Sequence, residues 1–156
     1  MKGSYFKKHI IMFIVMVVVG MLFNPMNILA YSFGHLYLST TLFYGGLLMA
    51  SNMMWAHEIV HYLSMGHFDS YIFSIGVCLS IIVSILLLRS QLFVTSKQWL
   101  KRMIPHHSTA LTTTTKLLEN NENFRKYPTL FRLAKDIAYN QKREILFMEN
   151  MLGLII

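Results

Sequence analysis

Met103-Ile104-Pro105-His106-His107, answered later by Gln141-Lys142-Arg143-Glu144-Ile145-Leu146-Phe147-Met148, decides how this chain reads. On a heptad the second stretch belongs to a helix with Leu130, Ala134, Ile137, Gln141, Glu144, Met148 and Met151 along one seam. That seam is apolar except at Gln141 and Glu144, which stand where a core belongs. The first stretch lies on a helix with its own seam of Leu100, Met103, His107, Ala110, Thr114 and Leu117. His106 is about 100° round from His107 and borders the same face. Folding the helices antiparallel about Phe124 sets His107 level with Gln141, Met103 near Glu144 and Leu100 near Met148. Imidazole, thioether, amide and carboxylate groups then share one layer.

The ends of these helices carry ordinary signals. Thr95 or Ser96 can cap the first, which is expected to reach about Glu119 with a possible kink at Pro105. Asn120-Asn121-Glu122-Asn123 reads as a loop. Pro128 suits the first turn of the second helix, expected to run to about Leu152.

Everything in front of this pair is apolar. The chain has 156 residues, 54% hydrophobic and only 13% charged, which is too apolar for an ordinary soluble domain. Segments 10–30, 36–56 and 71–88 are each near the ~20 residues a helix needs to cross a bilayer. Backbone in lipid must bond to itself, so all three are expected to be transmembrane helices. The expectation is thus an all-α chain: a membrane domain over 1–90 and an antiparallel helical hairpin over 91–156. Asn24-Pro25 is expected to kink the first segment or mark its outer end. Lys7-Lys8 before an apolar run resembles a signal peptide, but Ile28-Leu29-Ala30 is a poor cleavage site, which favours an uncleaved anchor.

Charge is distributed unevenly. Residues 9–88 hold Glu58 and Asp69 and no Lys or Arg, while residues 89–156 hold eleven basic residues against five acidic ones. No nucleic-acid-reading motif accompanies the net charge of +7, so solvated helix faces and lipid headgroups account for it better than nucleic acid. Lys2, Lys7 and Lys8 argue for a cytoplasmic N-terminus, so three crossings would put the C-terminal part outside. Arg89, Lys97, Lys101 and Arg102 argue the reverse. Cys78 is alone, which leaves no disulfide framework.

A buried Glu144 needs a cation or a metal beside it. Imidazole with thioether suits copper, and imidazole with carboxylate suits zinc, iron or copper. The competing reading is a His–Glu pair that fixes helix register, with the Met side chains filling the core.

The two motifs, Met-Ile-Pro-His-His-x-x-Ala over 103–110 and Gln-x-x-Glu-Ile-x-x-Met over 141–148, resemble the domain-of-unknown-function 305 family. The resemblance covers about residues 95–152. It also extends to a membrane-anchored subset whose apolar helices contain a stretch like His35-x-Tyr37-Leu38-Ser39. It implies a ferritin-like helical fold, an extracytoplasmic position and an association with copper. It further implies Met103, His106, His107, Glu144 and Met148 as metal ligands. A single hairpin is too small to enclose a core, so a homo-oligomer, or docking on the membrane helices, is expected to complete a four-helix bundle.

A second cluster closes the middle segment. His57-Glu58-Ile59-Val60-His61 matches H-E-x-x-H, with His67 where a third zinc ligand would fall. Ser64 stands in place of the glycine that turns such chains, and no strands of a zincin domain are present, which weighs against a zinc-dependent membrane hydrolase. Met53, His57, His61 and Met65 form a stripe at four-residue spacing that could bind a soft or borderline metal; they also suit an interface as amphipathic and packing residues. The sequence thus leads to a non-enzymatic, membrane-anchored metal-binding protein. Its expected place is a cell membrane of the bacterial inner-membrane type, with copper ahead of zinc. An assembly module without metal is the first alternative.

Overall fold

The computed structural model describes residues 2–120 and 122–155, so the loop reading at Asn121 lies outside the described residues. In chain order the helices are α1 (Lys2–Leu22), α2 (Pro25–Ile28), α3 (Thr40–Met65), α4 (Ser70–Ile82), α5 (Ser96–Asn120) and α6 (Pro128–Ile155). Short 3-10 turns cover Phe33–His35 and Glu122–Lys126, and α4 continues as a π-helical stretch, Val83–Arg89. No strand occurs among the described residues, as the all-α expectation requires. The chain forms two compact units: Met1–Phe23 with Thr40–Val94, and Asn24–Ser39 with Thr95–Ile156. Segment 24–39 therefore groups with the C-terminal helices, whereas the sequence boundary at 90/91 assigned it to the membrane half.

In the first unit α3 packs against both α1 and α4. Small residues permit the close approach. A Cβ on Gly46 would stand 2.8 Å from the Val17 carbonyl oxygen and 3.0 Å from Met21 Cγ. A Cβ on Gly76 would stand 2.9 Å from the Trp55 amide nitrogen. Backbones that meet this closely gain van der Waals contact where lipid offers no hydrophobic drive between helices. Gly66, at φ +67°, ends α3, and its amide donates to the Tyr62 carbonyl at 2.9 Å. Asp69 then caps α4, its Oδ1 accepting from the amides of Tyr71 (3.0 Å) and Ile72 (3.3 Å).

Two stretches, Tyr5–Ile28 and Ser70–Arg89, are long and apolar enough to cross a membrane. Only 17% of each apolar window is buried within the protein, unlike the core helix of a soluble domain. Ile10, Ile14 and Val18 of α1, and Ile81, Ile85 and Leu86 of the α4 stretch, stay exposed. The expected third span, 36–56, is corrected. Residues 36–39 precede the helix, and α3 runs on past Ala56 to collect His57, Glu58 and His61. Among the described residues two stretches, not three, meet the length and composition of a span.

In the second unit α5 and α6 share a core of Leu100, Ile104, Leu111, Ile145, Met148 and Leu152, flanked by Tyr37, Met103, Ala138 and Met151. The Thr95 side chain accepts from the Gln98 amide at 3.4 Å and Pro128 opens α6, as the sequence signals indicate. α5 runs without interruption through Pro105. The buried face of α5 is turned from the expected seam: Ile104 and Ser108 are fully buried, and His107 is set beside it. The cause is segment 24–39. Ser108 Oγ accepts from the Tyr31 amide at 2.7 Å and bonds His35 Nδ1 at 2.8 Å, while Thr109 Oγ1 donates to the Met26 carbonyl at 3.0 Å. These bonds claim a face of α5 that heptad reasoning left to solvent.

Gly46→Ala should lower the thermal stability of the detergent-solubilised protein by about 1–3 kcal/mol, because the contacting atom is backbone and cannot swing away. Gly45→Ala, where an added Cβ meets nothing within 4 Å, should leave the melting temperature unchanged.

Candidate metal centre

Within the first unit, one end of α1 and the C-terminal half of α3 carry ionisable groups among apolar neighbours. His9 is 4% exposed and Glu58 is fully buried. Glu58 Oε1 accepts from the Tyr5 hydroxyl at 2.8 Å, and Oε2 accepts from the Asp69 amide at 3.0 Å. His9 Nε2 lies 3.0 Å from Oε1, and His57 Nδ1 lies 3.7 Å from the same oxygen. One ligand atom from each of His9, His57 and Glu58 falls within 4.8 Å of the others. Donors about 2.0–2.1 Å from a tetrahedral ion stand roughly 3.3 Å apart, so these separations bracket what a shared ion needs.

Proton positions sharpen the argument. A carbonyl oxygen can only accept, so the 3.1 Å contact of His9 Nδ1 with the Tyr5 carbonyl fixes the proton on Nδ1. Nε2 then presents either a lone pair or a second proton to the Glu58 carboxylate. Neither His9 Nε2 nor His57 Nδ1 makes a hydrogen bond of acceptable geometry, although both are buried atoms. A lone pair facing a carboxylate at 3.0 Å repels it unless a cation lies between them. Metal-bound imidazoles are commonly oriented this way, with the far nitrogen donating to a carbonyl. The alternative occupant is a proton, giving a buried imidazolium–carboxylate pair.

Around this group the imidazoles continue. The His9 and His57 rings are 5.2 Å apart, His57 and His61 stack at 6.0 Å, and His61 and His67 meet at 5.6 Å. His61 Nδ1 donates to the His67 carbonyl at 3.0 Å, which leaves its Nε2 free for a ligand. A cavity of about 240 Å³ is lined by Tyr5, Lys8, His9, Met12, His57 and His61.

Of the stripe expected from sequence, His57 and His61 do face this cavity. Met53 and Met65 do not line it and are exposed, and Met12 of α1 supplies the thioether instead. Sequence reasoning also missed His9 and Tyr5; the available signal was an ionisable residue inside an apolar helix. The turn that Ser64 could not make is made two residues later at Gly66, bringing His67 to His61. Glu58 is poorly suited to act as the general base of a hydrolase. Both its oxygens are engaged and it is closed to water.

The C-terminal ligand set assembles only in part. His107 Nδ1 lies 3.0 Å from Glu144 Oε2, and the His106 ring is 5.8 Å from that of His107. Met148 is buried in the hydrophobic core and Met103 packs against it. His107 Nδ1 and Gln141 Oε1 are buried without a hydrogen bond. The Glu144 side chain is 46% exposed, however, so water can satisfy it as it cannot satisfy Glu58. Desolvation on α5, then His107 and Arg102, hold His106 below the ordinary histidine value, so it is neutral at pH 7.

Residues 89–152 match the family model described as Domain of unknown function (DUF305). The chain is 33% identical over 130 residues to "Uncharacterized protein L153" of Acanthamoeba polyphaga mimivirus, an alignment covering 83% of this chain and 81% of that protein. The chain belongs to the DUF305 family. The alignment, at 130 residues, is longer than the matched domain, so the likeness extends beyond residues 89–152. No solved structure matches the chain.

A histidine with a depressed folded-state pKa binds its proton less readily than in the unfolded chain, so stability is lost as pH falls through the unfolded value near 6.5. The melting temperature of the wild type relative to His106→Gln should therefore decline between about pH 7.5 and pH 5, by a small margin because His106 is exposed.

Proposed function

We propose that the protein is a membrane-embedded transition-metal-binding protein whose ion is held by His9, His57 and Glu58. The observation that carries this reading is the convergence of two imidazoles and a fully buried carboxylate whose facing nitrogens find no hydrogen bond. Copper is the preferred ion. Divalent copper stands highest in the affinity order for nitrogen and oxygen donors, and the Met12 thioether in the same cavity adds a soft donor. Zinc is the runner-up. The role is metal handling or tolerance.

In this reading Tyr5–Ile28 and Ser70–Arg89 cross the bilayer, and α3 packs between α1 and α4 with Tyr44, Ser51 and Glu58 buried. The N-terminal lysines put the start of α1, and the metal centre with it, near the cytoplasmic side of a cell membrane. Leu130, Leu133 and Ile137 of α6 are exposed, and a second copy covering them would complete a helical bundle. The second reading is an assembly module without metal; it rests on the His107–Glu144 contact, which can fix the register of α5 and α6.

Metal analysis of the purified protein tests the assignment. The wild type should carry about one copper per chain, the tight stoichiometry of a single three-ligand site. His9→Ala and Glu58→Gln should each lose it, whereas His106→Ala/His107→Ala should retain it. Retention in the first pair with loss in the double variant would return the site to the C-terminal helices.

A further inference from the structure

Four histidines stand in a line that runs from an exposed end at His67 to a buried end at His9. His67 is exposed, His61 is partly buried, the His57 side chain is 35% exposed and that of His9 is 4% exposed. Successive rings along the line are 5.6, 6.0 and 5.2 Å apart. Two cavities accompany them. The outer, about 950 Å³, is lined by His67 and His61; the inner, about 240 Å³, by His61, His57 and His9. His61 belongs to both.

We infer that His67 and His61 form a capture station that takes the metal ion from solution and hands it inward to His57 and His9. This rests on the reading that His9, His57 and Glu58 hold a metal. The hand-over needs no redox or covalent step, since one imidazole replaces another on the ion. The direction follows from burial: both cavities reach a carboxylate, but Asp69 at the outer one has water beside it, whereas Glu58 at the inner end is sealed from water and gains most from a cation. Ligation, not long-range attraction, must do the capturing. Lys8 lines both cavities and adds positive charge, while Asp69 is turned to its helix cap.

The turn itself serves this arrangement. Gly66 adopts φ +67° with open space around it, so its conformation, not crowding, calls for glycine. The fold it makes brings the His67 carbonyl onto His61 Nδ1 and frees His61 Nε2 for an incoming ion.

The test uses the full chain in detergent, mixed with cupric ion alone and followed by visible absorption. His67→Ala should reach the same tightly bound equivalent as wild type but load about tenfold more slowly, a barrier change of ~1.4 kcal/mol. Gly66→Val, which keeps the imidazole but strains the turn, should move the rate in the same direction. Unchanged loading rates in both variants would overturn the station, as would loss of the bound equivalent in His67→Ala, which would make His67 a ligand of the centre itself. Glu58→Gln distinguishes the two levels. If it keeps the wild-type equivalent, the metal reading fails and the station with it; if it loses the equivalent while His67→Ala loads normally, only the station fails.

Discussion

The Glu58 carboxylate is the constraint on which the first unit depends. It is fully buried, and three groups from two elements converge to receive it: Tyr5 and His9 from α1, and the Asp69 amide from the turn into α4. A buried carboxylate left without its partners costs roughly 3–5 kcal/mol, so the helices cannot slide or rotate without losing that balance. Gly46 and Gly76 allow the close approach, and Glu58 fixes the register. The same requirement makes the site: a charge that must be neutralised, in a place water cannot reach, is a place for a proton or a metal ion.

Two imidazole–carboxylate contacts, His9–Glu58 and His107–Glu144, have the same 3.0 Å separation and different consequences. At His9–Glu58 both partners are sealed, so geometry that fails as a hydrogen bond must be answered by a cation. At His107–Glu144 the carboxylate reaches solvent, and Met148 is buried in the core of α5 and α6 with Met103 packed against it. Burial, not distance, distinguishes the two contacts.

Much of this was legible in the residues. Apolar segments, Pro128 and Thr95 gave the helices and most of their ends, because those signals are local. H-E-x-x-H marked the correct turn of α3, though for a different chemistry, since periodicity shows which residues share a face and not what opposes them. The partners of Glu58 lie about fifty residues away on α1, where His9 reads as a minor interruption of an anchor. The seam on α5 was misplaced for a similar reason. Ser108 is polar, and only the return of Tyr31 and His35 over α5 explains why it is buried.

X-ray absorption at the copper edge of the loaded, purified protein tests the central claim most directly. The account predicts a first shell of nitrogen and oxygen at about 2.0 Å, with the outer-ring scattering of two or more imidazoles and at most one sulfur from Met12. A shell dominated by two sulfur donors, as Met103 and Met148 would supply, would contradict it.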